Sequence, residues 1–296
     1  MAWFGSLSSA SRGILLMLCA VFIFTVMDAL AKSLIASYGA VQVVWARYAG
    51  QTVIVVAILA RRLRPLMRTS YPGVHVLRSV FQVAATALFF SALPHIGLAE
   101  ATAIMDINPV LITFAAALFL GERIGARRLF GVLAAMCGAL IIIRPGSGVF
   151  SPAALLPLAA AACYAGHAIT TRMVGREESV WTALLYTAII GTVVTTAALP
   201  WGWNTPAWRD VPGLLIIGVI GATGQLFLIR AFSMAEAAVV APFGYVGLLF
   251  ATFWGVVIFG EFPDLWTGVG ALVIVAAGLY VWHRETRAAK AAPVAE

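Results

Sequence analysis

The sequence predicts an all-α membrane protein, with ten transmembrane helices arranged as two inverted five-helix repeats. Composition is the first reason: 62% of the 296 residues are hydrophobic and 10% are charged, whereas soluble domains carry about 25% charged residues. The second is that apolar runs of about 20 residues, long enough to cross a bilayer as helices, recur along the chain. The third is an internal repeat, because the sequence around Gly121-Glu122 recurs around Gly260-Glu261.

The apolar runs define ten predicted spans, numbered in chain order. Nine runs follow the first one, which favours an uncleaved first span over a cleaved signal peptide. The first repeat is predicted over residues 1–146, the second over residues 147–284, and a disordered tail over residues 285–296. The predicted spans are residues 13–36, 41–60, 73–93, 98–120, 127–143, 152–173, 179–199, 211–232, 236–259 and 265–283.

Basic residues predict the orientation of the chain. With ten spans, both termini and alternate loops share one side, and that side receives most of the Arg and Lys, including the group Arg61, Arg62, Arg64 and Arg68. The positive-inside rule therefore predicts cytoplasmic termini and explains the net charge of +7, so no nucleic-acid partner is predicted. Because five is an odd number, the two repeats would have opposite topology, as in transporters that enclose a site near the bilayer midplane.

Spans 5 and 10 differ from the others because they carry almost no polar residues. They contain small residues that let helix backbones approach closely. We interpret both as scaffold or dimer-contact helices, so a homodimer through these two spans is predicted. The small residues are Gly131, Ala134, Ala135 and Gly138 in span 5 and Gly268, Gly270, Ala271, Ala277 and Gly278 in span 10.

Prolines interrupt spans 4 and 9. In span 4, Asn108 followed by Pro109 fits the start of a helix, with Asn108 as N-cap. In span 9, the segment 241–245 contains Pro242 and Gly244. Broken helices in both halves indicate a substrate site, because non-helical backbone at this depth persists only against protein or water.

Twelve residues form the predicted substrate-binding set. Polar side chains inside spans should face the bundle interior, because placing them in hydrocarbon is costly, and three aromatic side chains could form a wall for apolar groups. The three cysteines lie inside apolar runs, and no His or Cys cluster has metal-ligand spacing, so neither a metal nor a cofactor is predicted. The set is Asp28, Arg47, Gln51, Gln82, Asp106, Asn108, Tyr164, His167, Gln225, Phe243, Tyr245 and Trp254.

The charged members of the set each have an alternative, structural interpretation. Asp28 could recognise an amine or carry a proton, or it could pair with Lys32 one helical turn away. Arg47 could meet a substrate carboxylate through its planar guanidinium, or it could be a structural partner of Asp28 or Asp106. Asp106 could cap the restarted helix, although a helix N-terminus in a cavity can also bind a carboxylate.

The other polar residues differ in their depth within the span and in the helix face that they share. Arg78, one turn inside the cytoplasmic end of span 3, is expected to extend to the interface, whereas Gln82 lies deeper and is the better lining candidate. Tyr164 and His167 share a helix face, three positions apart. His167 could titrate near neutral pH or be a hydrogen-bonded core histidine. Gln225 in span 8 and Tyr245 in span 9 could close the other side of the cavity.

With these features the chain resembles the drug/metabolite transporter superfamily, in its ten-span EamA branch. The resemblance covers essentially the whole chain. It is carried by the two five-span halves, by Gly121-Glu122 and Gly260-Glu261 with the Gly-rich spans that follow, and by Ala99-Glu100-Ala101 and Ala235-Glu236-Ala237. It implies a secondary transporter that works by alternating access in a bacterial inner membrane, and the amino-acid exporters of the YddG type are the members to compare first.

The predicted function is therefore export of small metabolites, foremost amino acids with apolar or aromatic side chains, with lipid and a small-molecule substrate as partners. The same fold could carry other cargo, such as nucleotide-sugars, cationic drugs or S-adenosylmethionine. A membrane enzyme is disfavoured, because no cluster of catalytic carboxylates, histidines or metal ligands lies at one interface. A purely structural or sensory protein would not require buried charges in both halves.

Overall fold

The computed structural model describes residues 9–120, 126–144, 151–174, 178–234 and 241–291. Within these ranges the regular structure is helical and contains no strand. The α-helices are Ser9–Leu59, Leu63–Leu66, Pro72–Ala92, Leu98–Met105, Asn108–Leu120, Ala126–Ile143, Leu155–Val174, Val180–Ala198, Val211–Met234, Val246–Phe259 and Leu265–Ala291.

The helices coincide with the ten predicted spans. The first helix bends at Gly39, whose φ of 71° is open to glycine, and this bend separates span 1 (residues 9–38) from span 2 (residues 40–59). Five helices of the described chain, the bent one among them, are long and apolar enough to cross a membrane, and shorter apolar helices fall in spans 5, 9 and 10. The all-α membrane fold predicted from the sequence is confirmed.

Contacts between helix ends divide the loops into two faces, which we name after one glutamate in each. On the Glu261 face, the loops that follow spans 1, 3, 5, 7 and 9 meet one another. On the Glu178 face, contacts join the start of span 1 to the loop that follows span 8, and the loop that follows span 2 to the loop that follows span 6. The contacts are Lys32–Glu261, Tyr38–Asp210 and Arg144–Asp264 on the first face and Ser9–Met234, Thr69–Glu178 and Tyr186–Met67 on the second.

Successive spans therefore run from one face to the other. Span 1 begins on the Glu178 face, whereas span 6 ends there, because Glu178 lies in the loop that follows it. Span 6 therefore begins on the Glu261 face. Consequently the two halves of the chain run through the bundle in opposite directions.

Spans 5 and 10 pack against each other along a line of small residues. A Cβ atom added to Gly138 would lie 2.9 Å from the carbonyl oxygen of Gly270, and one on Gly270 would meet the side chain of Ile142. A second buried cluster, which includes Ala139, Ile142 and Ile274, surrounds this contact. Within one chain, the small residues thus serve the pairing of these two helices.

Span 2 crosses span 8 at a second pair of glycines, and this crossing sets the position of the polar residues beside it. A Cβ atom added to Gly50 would lie 3.0 Å from the Cα of Gly218. One turn earlier, Arg47 lies against Gly221, with 3.4 Å from its Nε to an added Cβ there. The close approach of the two backbones therefore places Arg47 in the interior of the bundle.

The interruption of span 4 is a bend, and the predicted N-cap is wrong. One helix ends at Met105 and the next begins at Asn108. The carbonyl of Ile107 accepts the N–H groups of Val110 and Leu111, whereas Asn108 Oδ1 has no hydrogen-bond partner among the described residues. Because turn-type bonds bridge the two helices, the backbone does not need a side-chain cap.

The interruption of span 9 is a 3₁₀ helix, Ala241–Tyr245, that leads into Val246–Phe259. The predicted start of span 9 at residues 236–240 lies outside the described residues, as do Gly121-Glu122 and Ala235-Glu236-Ala237. Both halves thus contain a span whose α-helical hydrogen bonding is interrupted.

The predicted disordered tail is wrong for its first part. The last helix continues to Ala291, and residues 292–296 of the predicted tail lie outside the described residues. Alanine, arginine and lysine are strong helix formers, and adding residues to an existing helix avoids the cost of nucleation.

Candidate substrate cavity

The interior of the bundle contains two connected chambers. The mouth chamber, of about 390 Å³, is lined by Gln51, Arg78 and Glu178 among others, and it reaches the exposed residues Ser179 and Val180 on the Glu178 face. The deep chamber, of about 230 Å³, is lined by residues that are buried or half-buried. Six residues border both chambers: Arg47, Gln82, Tyr164, His167, Gln225 and Leu228.

Eight of the twelve predicted substrate-binding residues line these chambers. They come from spans 1, 2, 3, 4, 6 and 8, so the structure brings together side chains that are up to about 200 positions apart in the sequence. Their contact with a substrate stays a prediction. The eight are Asp28, Arg47, Gln51, Gln82, Asp106, Tyr164, His167 and Gln225.

The other four predicted residues lie outside both chambers. Asn108 is placed beyond the bend of span 4. Phe243 packs against the cluster of Met17 and Ala231. Tyr245 borders a groove between spans 9 and 10, and Trp254 stacks beside Phe22, with 5.8 Å between the ring centroids.

Asp28 and Asp106 are the carboxylic acids of the deep chamber. Asp28 forms no ion pair with Lys32, because the ammonium group of Lys32 lies 2.6 Å from Glu261 Oε1 and donates to the carbonyl of Ile96. Asp106 Oδ2 is buried and has no hydrogen-bond partner among the described residues. The interpretation of Asp28 as half of a helical ion pair is therefore wrong, and both carboxyl groups are placed to meet a ligand.

Arg47 lies where the two chambers meet. Its side chain is 6% exposed, its Nη1 donates to Thr86 Oγ1 at 2.7 Å, and its guanidinium lies 5.1 Å from the ring centroid of Tyr48. Nε has no hydrogen-bond partner in the described part of the chain. No described carboxylate lies within 4.0 Å of Arg47, so neither Asp28 nor Asp106 forms a direct ion pair with it.

Arg78 does not extend to the interface as expected. It is 6% exposed, and it donates from Nε to Thr171 Oγ1 at 2.7 Å and from Nη1 to the carbonyl of Ala183 at 3.1 Å. These acceptors belong to spans 6 and 7, which close over span 3 at this level. The sequence position near the end of a span could not show this, because the two covering helices are about 100 residues away.

Tyr164 and His167 form one polar surface on span 6. Their ring centroids are 5.7 Å apart, and His167 Nδ1 lies 3.0 Å from the carbonyl oxygen of Arg78. Both side chains border both chambers. This confirms the shared helix face that their spacing predicted, and the hydrogen bond to span 3 fixes the orientation of the imidazole.

The aromatic wall of the deep chamber comes from residues that the sequence did not single out. Phe24, Phe89 and Phe90 line it, and the rings of Phe89 and Phe90 lie 6.4 Å apart. A usable signal was present, because Phe24 lies one turn before Asp28 and therefore on the same helix face.

The mouth chamber ends beside a second pair of titratable groups. His75 Nε2 lies 3.7 Å from Glu178 Oε2, and Glu178 also accepts from Thr69 and from the backbone N–H of Ser70. His75 is 1% exposed and stacks on Tyr186. Glu178 therefore links the loop after span 2 to the start of span 7 at the opening of the cavity.

The Glu261 face is closed above the deep chamber. Lys32 donates to Ile96 and pairs with Glu261, and Glu261 Oε2 in turn accepts the backbone N–H of Leu98 at 3.0 Å. Lys32 also lies 5.2 Å from the ring centroid of Phe259. This network joins spans 1, 4 and 9 across the Glu261 face, whereas the exposed lining residues of the mouth chamber, Ser179 and Val180, lie on the Glu178 face.

The membrane-spanning walls divide unequally between the two repeats. Among the described residues, the charged side chains of these walls are Asp28, Arg47, Arg78 and Asp106, and all four come from the first repeat. The second repeat supplies neutral polar groups and, only at the mouth, Glu178. Among the described residues, no group of three or more His, Cys, Asp or Glu side chains could hold a metal ion.

Comparison with known proteins agrees with this architecture. The model of the EamA-like transporter family matches residues 11–144 and again residues 151–282. Pseudopaline exporter CntI of Pseudomonas aeruginosa is 34% identical over 270 residues, which are 90% of this chain and 94% of that protein. A riboflavin transporter of Rhizobium johnstonii is 33% identical over 75% of this chain and 74% of its own length.

An S-adenosylmethionine uptake transporter of Rickettsia felis is 27% identical over 88% of this chain and 89% of that protein. A solved crystal structure superposes with a TM-score of 0.65 at 19% identity, over 94% of this chain and 99% of that one, which shows a shared fold. Because the family matches cover both halves, the chain belongs to the EamA-like transporter family of the drug/metabolite transporter superfamily, and it is a multi-pass membrane protein of a small-metabolite transporter family.

Proposed function

We propose that this protein is a secondary transporter that exports small zwitterionic metabolites, foremost amino acids with apolar or aromatic side chains, by alternating access. The observation that carries the proposal is the distribution of unpaired charge in the cavity. The carboxyl groups of Asp28 and Asp106 line the deep chamber, and the guanidinium of Arg47 lies beside them without a described carboxylate partner. An ammonium group and a carboxylate on one ligand would pair with both.

The aromatic wall supports an apolar part in the cargo. Phe24, Phe89 and Phe90 line the same chamber as the two acids. Aromatic side chains bind apolar and aromatic groups by burying area and by edge or offset stacking. A chamber of about 230 Å³ that continues into the mouth chamber leaves room for a side chain of this kind.

Export is supported by the direction in which the cavity opens. The Glu178 face carries Arg61, Arg62, Arg64 and Arg68, and the positive-inside rule assigns such a face to the cytoplasm. Both termini would then be cytoplasmic, in the inner membrane of a bacterium. A cavity open to the cytoplasm receives metabolites made in the cell, and the relative at 34% identity is named an exporter.

The transport cycle would use the interrupted spans. Spans 4 and 9 lack continuous α-helical bonding at residues 106–107 and 241–245, and these points can absorb changes of backbone angle.

Self-association through spans 5 and 10 stays part of the proposal. The side chains available for it are the exposed Phe130, Leu133 and Leu272, which do not take part in the Gly138–Gly270 contact.

Reconstituted transport tests the proposal. Proteoliposomes loaded with unlabelled phenylalanine should accumulate labelled phenylalanine by counterflow, saturably, and Arg47→Gln should lower this flux at least tenfold, because a charge-assisted bond contributes about 1.5–3 kcal/mol. Arg64→Gln, the same substitution on the exposed loop, is the control and should leave flux unchanged. Competition by riboflavin or S-adenosylmethionine in place of amino acids would redirect the proposal to the cargo named for the relatives.

Proton coupling can be tested in the same vesicles. The carboxylic acids and the histidine that line the deep chamber are Asp28, Asp106 and His167. If one of them carries the coupled proton, then Asp28→Asn, Asp106→Asn or His167→Gln should abolish the response of net flux to an imposed pH gradient, while counterflow at saturating phenylalanine continues. An unchanged response in all three variants would exclude coupling through these groups.

A further inference from the structure

We propose that Arg78 forms a second anion subsite in the mouth chamber, and that the preferred cargo is an elongated amino acid with a second carboxylate at its far end. The inference rests on the proposed transport function and narrows its substrate class. It starts from a side chain that the proposed mechanism does not otherwise use.

The guanidinium of Arg78 is buried, held in place and incompletely bonded. Its side chain is 6% exposed. Nε and Nη1 donate to Thr171 and to the carbonyl of Ala183, which are both neutral acceptors, while Nη2 makes no hydrogen bond to the described residues. The residue borders the mouth chamber, so a ligand in that space lies beside this guanidinium.

No described carboxylate neutralises Arg78. Glu178, the acid that lines the same chamber, accepts from Thr69 and Ser70 and lies 3.7 Å from His75. The two wall acids line only the deep chamber, beyond Arg47. A buried cation without a counter-ion is unfavourable, and an anionic group on the ligand is what this part of the cavity lacks.

The two guanidiniums are held at different levels of the cavity. Arg47 is held by Thr86, which lies eight residues after Arg78 on span 3, and eight residues of helix rise about 12 Å. The two carboxylates of glutamate are much closer together than that. The geometry therefore points to an amine near Asp28 and Asp106, one carboxylate at Arg47 and a second one, several bonds further along the chain, at Arg78.

A purely structural role for Arg78 would look similar in the apo protein, since the residue joins span 3 to spans 6 and 7. The two roles differ in what they do to ligand discrimination. Loss of a structural clamp weakens the binding of every ligand alike, whereas loss of an anion subsite weakens only ligands that carry the second carboxylate.

The test uses a matched pair of probes, 2-aminooctanedioate and 2-aminooctanoate, which differ only in the terminal carboxylate. Their dissociation constants are measured by calorimetry on the purified full-length protein in nanodiscs. Wild type should bind the diacid about 10- to 100-fold more tightly than the monoacid, the range expected for a charge-assisted bond. Arg78→Gln should abolish this preference and leave the affinity for the monoacid within about twofold. Arg64→Gln should keep it.

Three outcomes overturn the inference. They are equal affinity of wild type for the two probes, an equal loss for both in Arg78→Gln, and the absence of diacid binding. In the first two the proposed transport function stands as long as the monoacid binds and is transported, and it fails separately if no amino acid shows counterflow. If Arg78→Gln does not fold, the inference is tested by the wild-type preference for the diacid and by Arg78→Lys. Lysine keeps the positive charge, so this variant should retain part of that preference.

Discussion

At the scale of single residues, the cavity depends on charges that the fold buries without pairing them. Asp28 and Arg47 lie on adjacent spans, yet no ion pair joins them, and Arg47 is instead held by Thr86 and by the face of Tyr48. Neutral partners fix the guanidinium and keep its charge available. A ligand with an ammonium group and a carboxylate would supply the counter-charges that the empty site lacks.

Neutralising Asp28 should weaken the binding of amines specifically. In Asp28→Asn the amide cannot pair with an ammonium group, so the affinity for phenylalanine should fall about 10- to 100-fold, as for loss of a charge-assisted bond. Calorimetry on the purified protein measures this. Asp264→Asn, the same change at an exposed acid on the Glu261 face, should leave affinity unaltered. Equal affinities of Asp28→Asn and wild type would remove Asp28 from the binding site.

Sequence reasoning found the charged part of this site and missed most of its aromatic part. A charged or amide side chain in an apolar run has few places to go, so eight of the twelve predictions fell in the cavity wall. Phe243, Tyr245 and Trp254 were chosen for their residue type. In an apolar span a ring can face protein or lipid, and only packing decides which, as it does for Phe89 and Phe90.

The glycine contact between spans 2 and 8 gives a prediction about stability. In Gly218→Val the new side chain would collide with the backbone at Gly50, and such overpacking costs about 1–3 kcal/mol, so the thermal midpoint in detergent should fall by several degrees. Gly268→Ala is the control, because an added Cβ there meets no atom within 4 Å. Its midpoint should stay or rise, since Ala favours helix over Gly. The same midpoint for Gly218→Val and wild type would contradict the close approach.

At the scale of helices, the closed face is maintained by polar contacts between the ends of spans 1, 4 and 9. Glu261 is central, since it joins the ammonium group of Lys32 to the first N–H of the helix that begins at Leu98. An acidic group is also favoured at a helix N-terminus by the helix dipole. Separation of these ends is the simplest way to open the deep chamber on this side.

Glu261→Gln should shift the protein toward opening on the Glu261 face. The amide removes the ion pair, which contributes up to about 1 kcal/mol, so the open population should rise severalfold. In a cysteine-free background, a cysteine at Thr102, which lines the deep chamber, reports opening through its rate of reaction with an impermeant maleimide applied from the Glu261 side only. Glu100→Gln is the control, since Glu100 lies on the same face without a described ion pair. Identical labelling rates in the two variants would exclude Glu261 as part of the closure.

The contact between the end of span 5 and the start of span 10 should depend on acid pH. Hydrogen bonds from Thr267, and the nearby guanidinium of Arg144, hold the pKa of Asp264 below its ordinary value of 3.8. A lowered pKa in the folded state stabilises the fold above pH 3.8, and this contribution is lost as the pH falls through the lowered pKa. Wild type should therefore melt above Asp264→Asn at pH 6, and the difference should shrink below pH 3.8. A difference that is constant from pH 6 to pH 2.5 would contradict this.

Helix positions were predictable because hydropathy and length decide them, but helix ends were less so. The bend at residues 106–107 was expected from Pro109, yet its bonding through Ile107 depends on backbone geometry that a residue pattern does not specify. The tail was expected to be disordered because it is short and basic. Its extension of the last helix follows from the same Ala, Arg and Lys residues, once a long helix precedes them.

At the scale of the whole molecule, the alternating faces and the inversion follow from the number of spans. The number of apolar runs was enough to predict both features. Each run crosses the membrane once, so after five crossings the second half of the chain starts from the opposite side and runs in the opposite direction. The cavity between the halves could be expected from the buried polar residues. Its opening on the Glu178 face could not, because the sequence is compatible with every state of an alternating-access cycle.

The proposed orientation leads to a topology prediction. Alkaline phosphatase is active only outside the cytoplasm, so a fusion at the C-terminus or after Leu66, on the Glu178 face, should be inactive. A fusion after Trp203, in the loop that follows span 7, should be active. The expression levels of the two loop fusions are compared, so that low activity is not mistaken for low expression. Activity at the C-terminus would reverse the orientation, and with it the proposed direction of transport.

The uneven share of charge between the two repeats has a consequence for how such a protein can change during evolution. Duplicated halves begin as equals, but among the described residues one copy holds the four charged side chains of the membrane-spanning walls, while the other contributes neutral groups there and Glu178 at the mouth. Selection for new cargo can therefore act on residues 24–106 and leave the partner copy free to tune the speed of the cycle. A mutant library confined to the first copy should yield altered selectivity, and one confined to the second should yield altered turnover.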